Sequence, residues 1–221
     1  FQKLKGILPV LLAAELVLNG VFTFVINYGG NLNIDVYLDY ASGTEEQIEA
    51  VKDREKAEFY RMDSLEKRND GGDGISAYLN EPRAYGYHGM AHYSSTYDTD
   101  ISRLIFDLGY STLTDLSVYQ EAILPSDSLL GMKYLMSKKE VLGYEKLEDL
   151  PEDNGKSVYY NSYALGLGMG ADEKIQEEIV TADPFEFQNI LFSNLLGRDV
   201  EIFKEAGYKL NIADNFLTLQ V

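Results

Sequence analysis

Residues 85–110, YGYHGMAHYSSTYDTDISRLIFDLGY, decide how the chain is read. Tyr85, Tyr87 and Gly89 alternate with Gly86, His88 and Met90, which predicts an aromatic strand with close backbone approach at the glycines. Ser94 and Ser95 then make a turn, and Asp98 or Thr99 caps a helix over 98–108. Ile101, Leu104, Ile105 and Leu108 fall at helical spacing and form its apolar face. Gly109 supplies the left-handed C-terminal cap. His88 and His92 stand four apart, a spacing that suits zinc on a helix. There is no third ligand nearby, and a strand holds them too far apart for one ion, so no metal site is expected.

The segments on either side supply partners for this strand and helix. Residues 58–65, EFYRMDSL, alternate like a half-buried strand. Residues 132–137, MKYLMS, read as a buried strand in which Lys133 either snorkels or meets a carboxylate. Residues 157–161 and 164–170 read as two further strands, the second weakened by glycines, with more strand material at 200–203 and 209–221. Helices are expected near 44–56, where Thr44 and Gln47 have capping-box spacing on a surface helix, and at 184–196, where Asp183-Pro184 is a strong start and Gly197 a stop. Phe185, Ile190, Leu191 and Leu195 are its expected buried face. Asp127 is expected to cap a short turn that Gly131 ends. The glycine-rich segment 69–74, NDGGDG, has the look of a calcium loop but lacks the glutamate at its twelfth position.

The fold class that follows is α+β, a mixed or mainly antiparallel sheet with packed helices. A three-layer α/β arrangement is the alternative, because strands and helices roughly alternate. Residues 7–26, ILPVLLAAELVLNGVFTFVI, precede it and are almost wholly apolar. At about 1.5 Å per residue such a helix spans roughly 30 Å, the core of a bilayer. Lys3 and Lys5 come before it and acidic residues dominate after it, which sets the N-terminal flank in the cytoplasm and the rest outside. The alternative is a helix buried in a soluble core. Residues 1–28 are thus expected to be a transmembrane helix, and 29–221 an extracytoplasmic α+β domain. The chain reads as a fragment of something longer, with the domain truncated at its C-terminal end.

Composition narrows the function. The net charge is −17, from 19 basic and 36 acidic residues, which argues against nucleic-acid binding and against docking on an anionic lipid surface. Without cysteine, disulfides, thiolate metal sites and cysteine nucleophiles are excluded. Nothing calls for a cofactor. The 17 tyrosines suit polar ligands such as sugars, since each ring offers an apolar face and a hydroxyl, although strand and core packing uses the same residues. No nucleophile elbow or ordered Ser–His–Asp set supports a hydrolase.

Eight stretches carry a resemblance: AELVLNG (14–20), EFYRMD (58–63), ND (69–70), YGYHGMAHYSS (85–95), FDLGY (106–110), DSLLGMKYLMS (127–137), VYYNSYALGLG (158–168) and DPFEFQNILFSNLLG (183–197). In this order they resemble the YfhO family of bacterial multi-pass membrane proteins. The resemblance implies a GT-C-type glycosyltransferase that takes a sugar from undecaprenyl phosphate outside the cell membrane and places it on a wall polymer such as lipoteichoic acid. It also implies a catalytic carboxylate in a first external loop that this chain does not contain, so no catalytic residue is carried over. The expected role of this part is to position donor or acceptor. Arg61, Asn69, Tyr87, Ser94, Ser95, Lys133 and Asn161 are the candidate binding residues, with Arg61 and Lys133 as cations suited to a phosphate. The competing expectation is a non-catalytic scaffold that binds envelope protein partners.

Overall fold

The structure, a computed structural model, describes residues 2–28, 34–66, 80–94, 96, 98–113, 116–207, 209–213 and 216–220. The contacts divide the chain into two compact units, 1–42 and 43–221.

In the first unit, α1 runs from Gln2 to Tyr28 and α2 begins at Ile34. The stretch Ile7–Val25 is long and apolar enough to cross a membrane, and none of it is buried. Leu16 is 74 % exposed. A core helix would hide such a surface from water. The soluble-core alternative therefore has no support here.

In the second unit the central layer is a four-stranded mixed sheet. Its strands are β1 (Arg61–Ser64), β5 (Met132–Ser137), β6 (Glu145–Lys146) and β7 (Ser157–Tyr160), in the order β1-β5-β7-β6. β1 runs parallel to β5, with Met62 opposite Tyr134, and the other pairs are antiparallel. β2 (His92–Tyr93), β3 (Ser111–Leu113) and β4 (Leu116–Val118) form a small antiparallel sheet. β8 (Lys209–Ala213) and β9 (Phe216–Gln220) form a hairpin. The remaining helices are α3 (Glu81–Tyr85), α4 (Thr99–Asp107), α5 (Leu124–Leu129) and α6 (Pro184–Leu196).

Both faces of the central sheet are covered, which is why β5 is almost continuously apolar rather than alternating. On one face Met62, Tyr134, Met136 and Val158 pack against Ile48 and Val51 of α2, which ends at Arg54. On the other, Leu135 and Tyr159 join Ile105 and Leu108 near the end of α4 and Phe187 of α6. The sheet is mixed, as expected, and helices flank it on both sides as in the layered alternative.

Several local expectations give way to tertiary packing. Residues 85–90 are not a strand. Pro82 sets the first turn of α3, and Gly86 closes that helix at φ +68°. The backbone then runs extended past β1, where Met62 N donates to His88 O at 2.9 Å. Only His92 and Tyr93 make a strand. Thr44 and Gln47 do not cap a surface helix, because α2 starts at Ile34. Both are buried, and Gln47 Nε2 donates to Pro151 O and Lys156 O at 2.9 and 2.8 Å. Residues 164–170 form a loop without a strand ladder. Residues 200–203 are also a loop, because α6 side chains take up their backbone groups: Asn189 Oδ1 accepts from Ile202 N and Phe203 N, and Ser193 Oγ accepts from Val200 N. In α6 itself Phe187 and Gln188 are buried while Phe185 is exposed.

The capping expectations for the helices at 98–108 and 184–196 are met. Asp98 accepts from Asp100 N and Ile101 N, Asp183 from Phe185 N and Glu186 N, and Gly197 ends α6 at φ +64°. Half of the expected apolar face of α4 is buried, at Ile105 and Leu108, while Ile101 and Leu104 are exposed.

Candidate functional site

Many of the polar residues that stand out in the sequence are used inside the core. Asp127 does not cap a turn. It lies within α5, buried, and accepts from the hydroxyls of Tyr110, Tyr119 and Tyr144 at 2.6, 2.7 and 2.9 Å. Burial pushes its carboxyl up to about 6, against the three hydroxyl bonds that favour the charged form. Asp63 in β1 is likewise buried and accepts from Met90 N, Ala91 N and Ser64 N at 2.7, 2.8 and 2.9 Å. Burial raises it to about 6 as well, again against its hydrogen bonds. Ser126 Oγ donates to Gln188 Oε1, and Gln188 Nε2 to Leu108 O, so α5, α6 and the end of α4 are tied by buried polar contacts.

The sequence-named binding candidates do not gather in one groove. Asn161 is fully buried. Its Nδ2 donates to Ser128 Oγ and Met132 O, and its Oδ1 accepts from Tyr163 N, so it is a clamp between α5, β5 and β7. Tyr87 packs on the α2 side of the sheet, and its N–H bonds Pro82 O. Ser94 Oγ donates to Thr96 O at 2.9 Å. Asn69 and Ser95, with the glycine-rich segment 69–74, lie outside the described residues. His88 stacks on Phe59, with ring centroids 4.9 Å apart. His92 Nδ1 lies 3.2 Å from Met90 O. No group of three metal-ligating side chains occurs among the described residues.

The two candidate cations differ. Lys133 meets a carboxylate: its Nζ lies 2.7 Å from Glu55 Oε2, whose side chain is nearly buried. Burial tends to raise the Glu55 carboxyl. Hydrogen bonds from Lys133, the Ala57 amide and the Tyr134 hydroxyl outweigh it and hold the group at about 2. Arg61, half-buried at the start of β1, donates through Nη1 to Leu130 O and lies over the Phe59 ring at 5.0 Å. Burial lowers its pKa, but a guanidinium remains charged. Of its five N–H donors, one is used among the described residues.

Arg61 stands at the foot of the 164–170 loop. Gly131 adopts φ +71° in the turn into β5. A Cβ there would fall 2.9 Å from Leu165 O and 3.9 Å from Arg61 Nη1, so guanidinium, turn and loop backbone converge on a position where only glycine fits. Beyond it the loop exposes Leu165, Leu167 (76 %) and Met169, and Tyr163 just before it is exposed as well. A Cβ on Gly166, Gly168 or Gly170 would meet nothing within 4 Å. The glycine at every second position weakens a strand reading, and was the sequence signal for this loop. A cation near the backbone of a loop whose apolar side chains are exposed suits an amphiphile with an anionic head.

Clefts open elsewhere among the described residues. One, of about 580 Å³, carries Glu66, Glu121 and Glu140 alongside Lys138 and Lys139, so it has no cationic excess for a phosphate. None of the sequence-named candidates lines it. A smaller one, of about 260 Å³, lies between the end of α4 and the start of α6.

Beside the α+β domain, Ile7–Val25 has the length, apolarity and exposure of a membrane span. The chain belongs to the YfhO family of bacterial membrane proteins, whose model matches residues 3–218. No curated protein and no solved structure matches it significantly.

Proposed function

We propose that residues 43–221 form an extracytoplasmic domain of a multi-pass membrane glycosyltransferase, and that the domain positions a sugar donor carried on undecaprenyl phosphate for transfer to a wall polymer such as lipoteichoic acid. Membership of a membrane-protein family, the exposed span Ile7–Val25 and the acidic surface support this reading. The observation that carries it is Arg61 beside the exposed apolar loop. A polyprenyl phosphate has the matching chemistry, a hydrocarbon tail for Leu165, Leu167 and Met169 and an anionic head for the guanidinium. Lys133 drops out of the phosphate role, because Glu55 already neutralises it. The chain contributes donor positioning, and the transferring carboxylate is assigned to another part of the parent protein.

The test is made in membranes carrying the full-length protein. Labelled sugar is supplied on undecaprenyl phosphate, and label on lipoteichoic acid is counted. Charged hydrogen bonds are worth about 1.5–3 kcal/mol, so Arg61→Ala is expected to lower transfer roughly 10- to 100-fold at equal protein level. Arg61→Lys, which keeps charge but not the planar fork, falls between. Unchanged transfer in Arg61→Ala would contradict the donor-positioning role and favour the scaffold reading.

A further inference from the structure

We propose that the cleft between the end of α4 and the start of α6 binds an uncharged sugar ring. Two stretches that carry the family resemblance, 106–110 and 183–197, contribute to its opposite walls although they lie far apart in the chain. At about 260 Å³ it is smaller than the pockets of roughly 300–1,000 Å³ that hold drug-sized ligands, and it suits one small ring. Its lining chemistry is that of a polyol site. Phe106, 62 % exposed, offers an aromatic face for C–H groups. Asp107 and Asp183 offer carboxylate acceptors, and Ser111, Thr112 and Thr181 offer hydroxyls.

Charge decides among ligand classes. No lysine or arginine lines the cleft among the described residues, so a phosphate or carboxylate finds no counter-charge. Each carboxylate also has a partner of its own that competes with a cation. Asp183 Oδ1 accepts from Phe185 N at 2.8 Å and Glu186 N at 3.4 Å, at the positive end of α6. Asp107 Oδ2 lies 3.7 Å from Arg103 Nε. Both retain acceptor capacity for hydroxyl groups. Thr181 is held in place, its hydroxyl donating to Glu186 Oε2 at 2.5 Å and accepting from Asp183 N at 3.2 Å. The cleft thus combines an exposed aromatic ring with acceptors held by their own hydrogen bonds.

The place of this cleft in glycan transfer rests on the proposed function; its ligand does not. The full chain is purified in a detergent without a sugar headgroup. Glucose, galactose, N-acetylglucosamine and glycerol phosphate are titrated separately by ligand-observed NMR, and calcium by isothermal titration calorimetry. Saturable binding of at least one sugar and none of glycerol phosphate is expected. Phe106→Ala and Asp107→Asn should each weaken sugar binding at least tenfold with unchanged melting temperature, since both side chains reach the surface. The proposal is overturned by no saturable sugar binding, by sugar binding that neither variant alters, or by calcium binding that Asp107→Asn abolishes in the absence of any sugar binding. Sugar binding that survives in Arg61→Ala while transfer is lost separates this cleft from the donor-positioning role.

Discussion

Asp127→Ala is expected to lower the melting temperature of the domain by about 6–12 °C at pH 7. The carboxylate accepts from Tyr110, Tyr119 and Tyr144, two of them buried. Removing it leaves hydroxyls without an acceptor, at about 1–3 kcal/mol each. Against this, the substitution relieves a buried charge. A carboxyl held at about 6 rather than its ordinary 3.8 costs about 3 kcal/mol when ionised at pH 7. The net loss is about 3 kcal/mol, and for a domain of this size each kcal/mol moves the midpoint by about 2–4 °C. Asp127→Asn, which keeps acceptor capacity and removes the charge, should cost much less. Circular dichroism melts of the full chain in detergent check both. A drop below about 3 °C in Asp127→Ala would mean that the three tyrosines do not depend on this acceptor.

The second large effect is a rise in stability on mild acidification. Asp127 and Asp63 both have folded pKa values near 6, above the ordinary 3.8. The folded state therefore binds more protons than the unfolded state between those values, and stability falls as pH rises through that window and levels off above it. Moving from pH 7 to pH 5 should gain roughly 2 kcal/mol, or about 5 °C. Glu55 acts in the opposite sense. Its folded pKa of about 2 lies below the ordinary 4.5, so its contribution is full above that value and is lost as pH falls toward 2. From these three groups the melting temperature should therefore peak at about pH 3.5–4, where the two trends cancel. Asp63→Asn or Asp127→Asn should each remove about half of the rise. A melting temperature that is flat or falls from pH 7 to pH 5 would contradict the burial of these carboxylates.

Elements fixed by local chemistry were legible in the sequence. Asp98 and Asp183 cap helices as their positions before helical runs predict, and Gly109, Gly131 and Gly197 all take positive φ. The continuous apolar run of β5 announced a strand covered on both faces. What sequence reasoning missed depends on contacts far apart in the chain. Residues 85–90 alternate like a strand, but β1 already pairs with β5, and Asp63 takes the amides of Met90 and Ala91. Gln47 reads as a capping residue until Pro151 and Lys156 present carbonyls to it.

The site was legible only in part, for the same reason. A buried clamp such as Asn161 and a ligand-facing asparagine look alike in one dimension. Lys133 could be recognised as needing a carboxylate, but Glu55 lies on a different element and could not be chosen in advance. Arg61 was named from its charge on an acidic chain. The exposed loop beside it was hidden in a stretch that reads as a weak strand, and the smaller cleft is assembled from two segments that only the fold brings together.

The central claim is that the domain works on the outer side of the cell membrane, where lipid-linked sugars are handled. The 221 residues contain no cysteine, so one introduced thiol within them reports a single position. Leu142 is 93 % exposed and suits this purpose. In intact cells expressing the Leu142→Cys protein, a membrane-impermeant maleimide is expected to label that thiol as fully as it does after lysis. Labelling that appears only after lysis would place the domain in the cytoplasm and contradict the account.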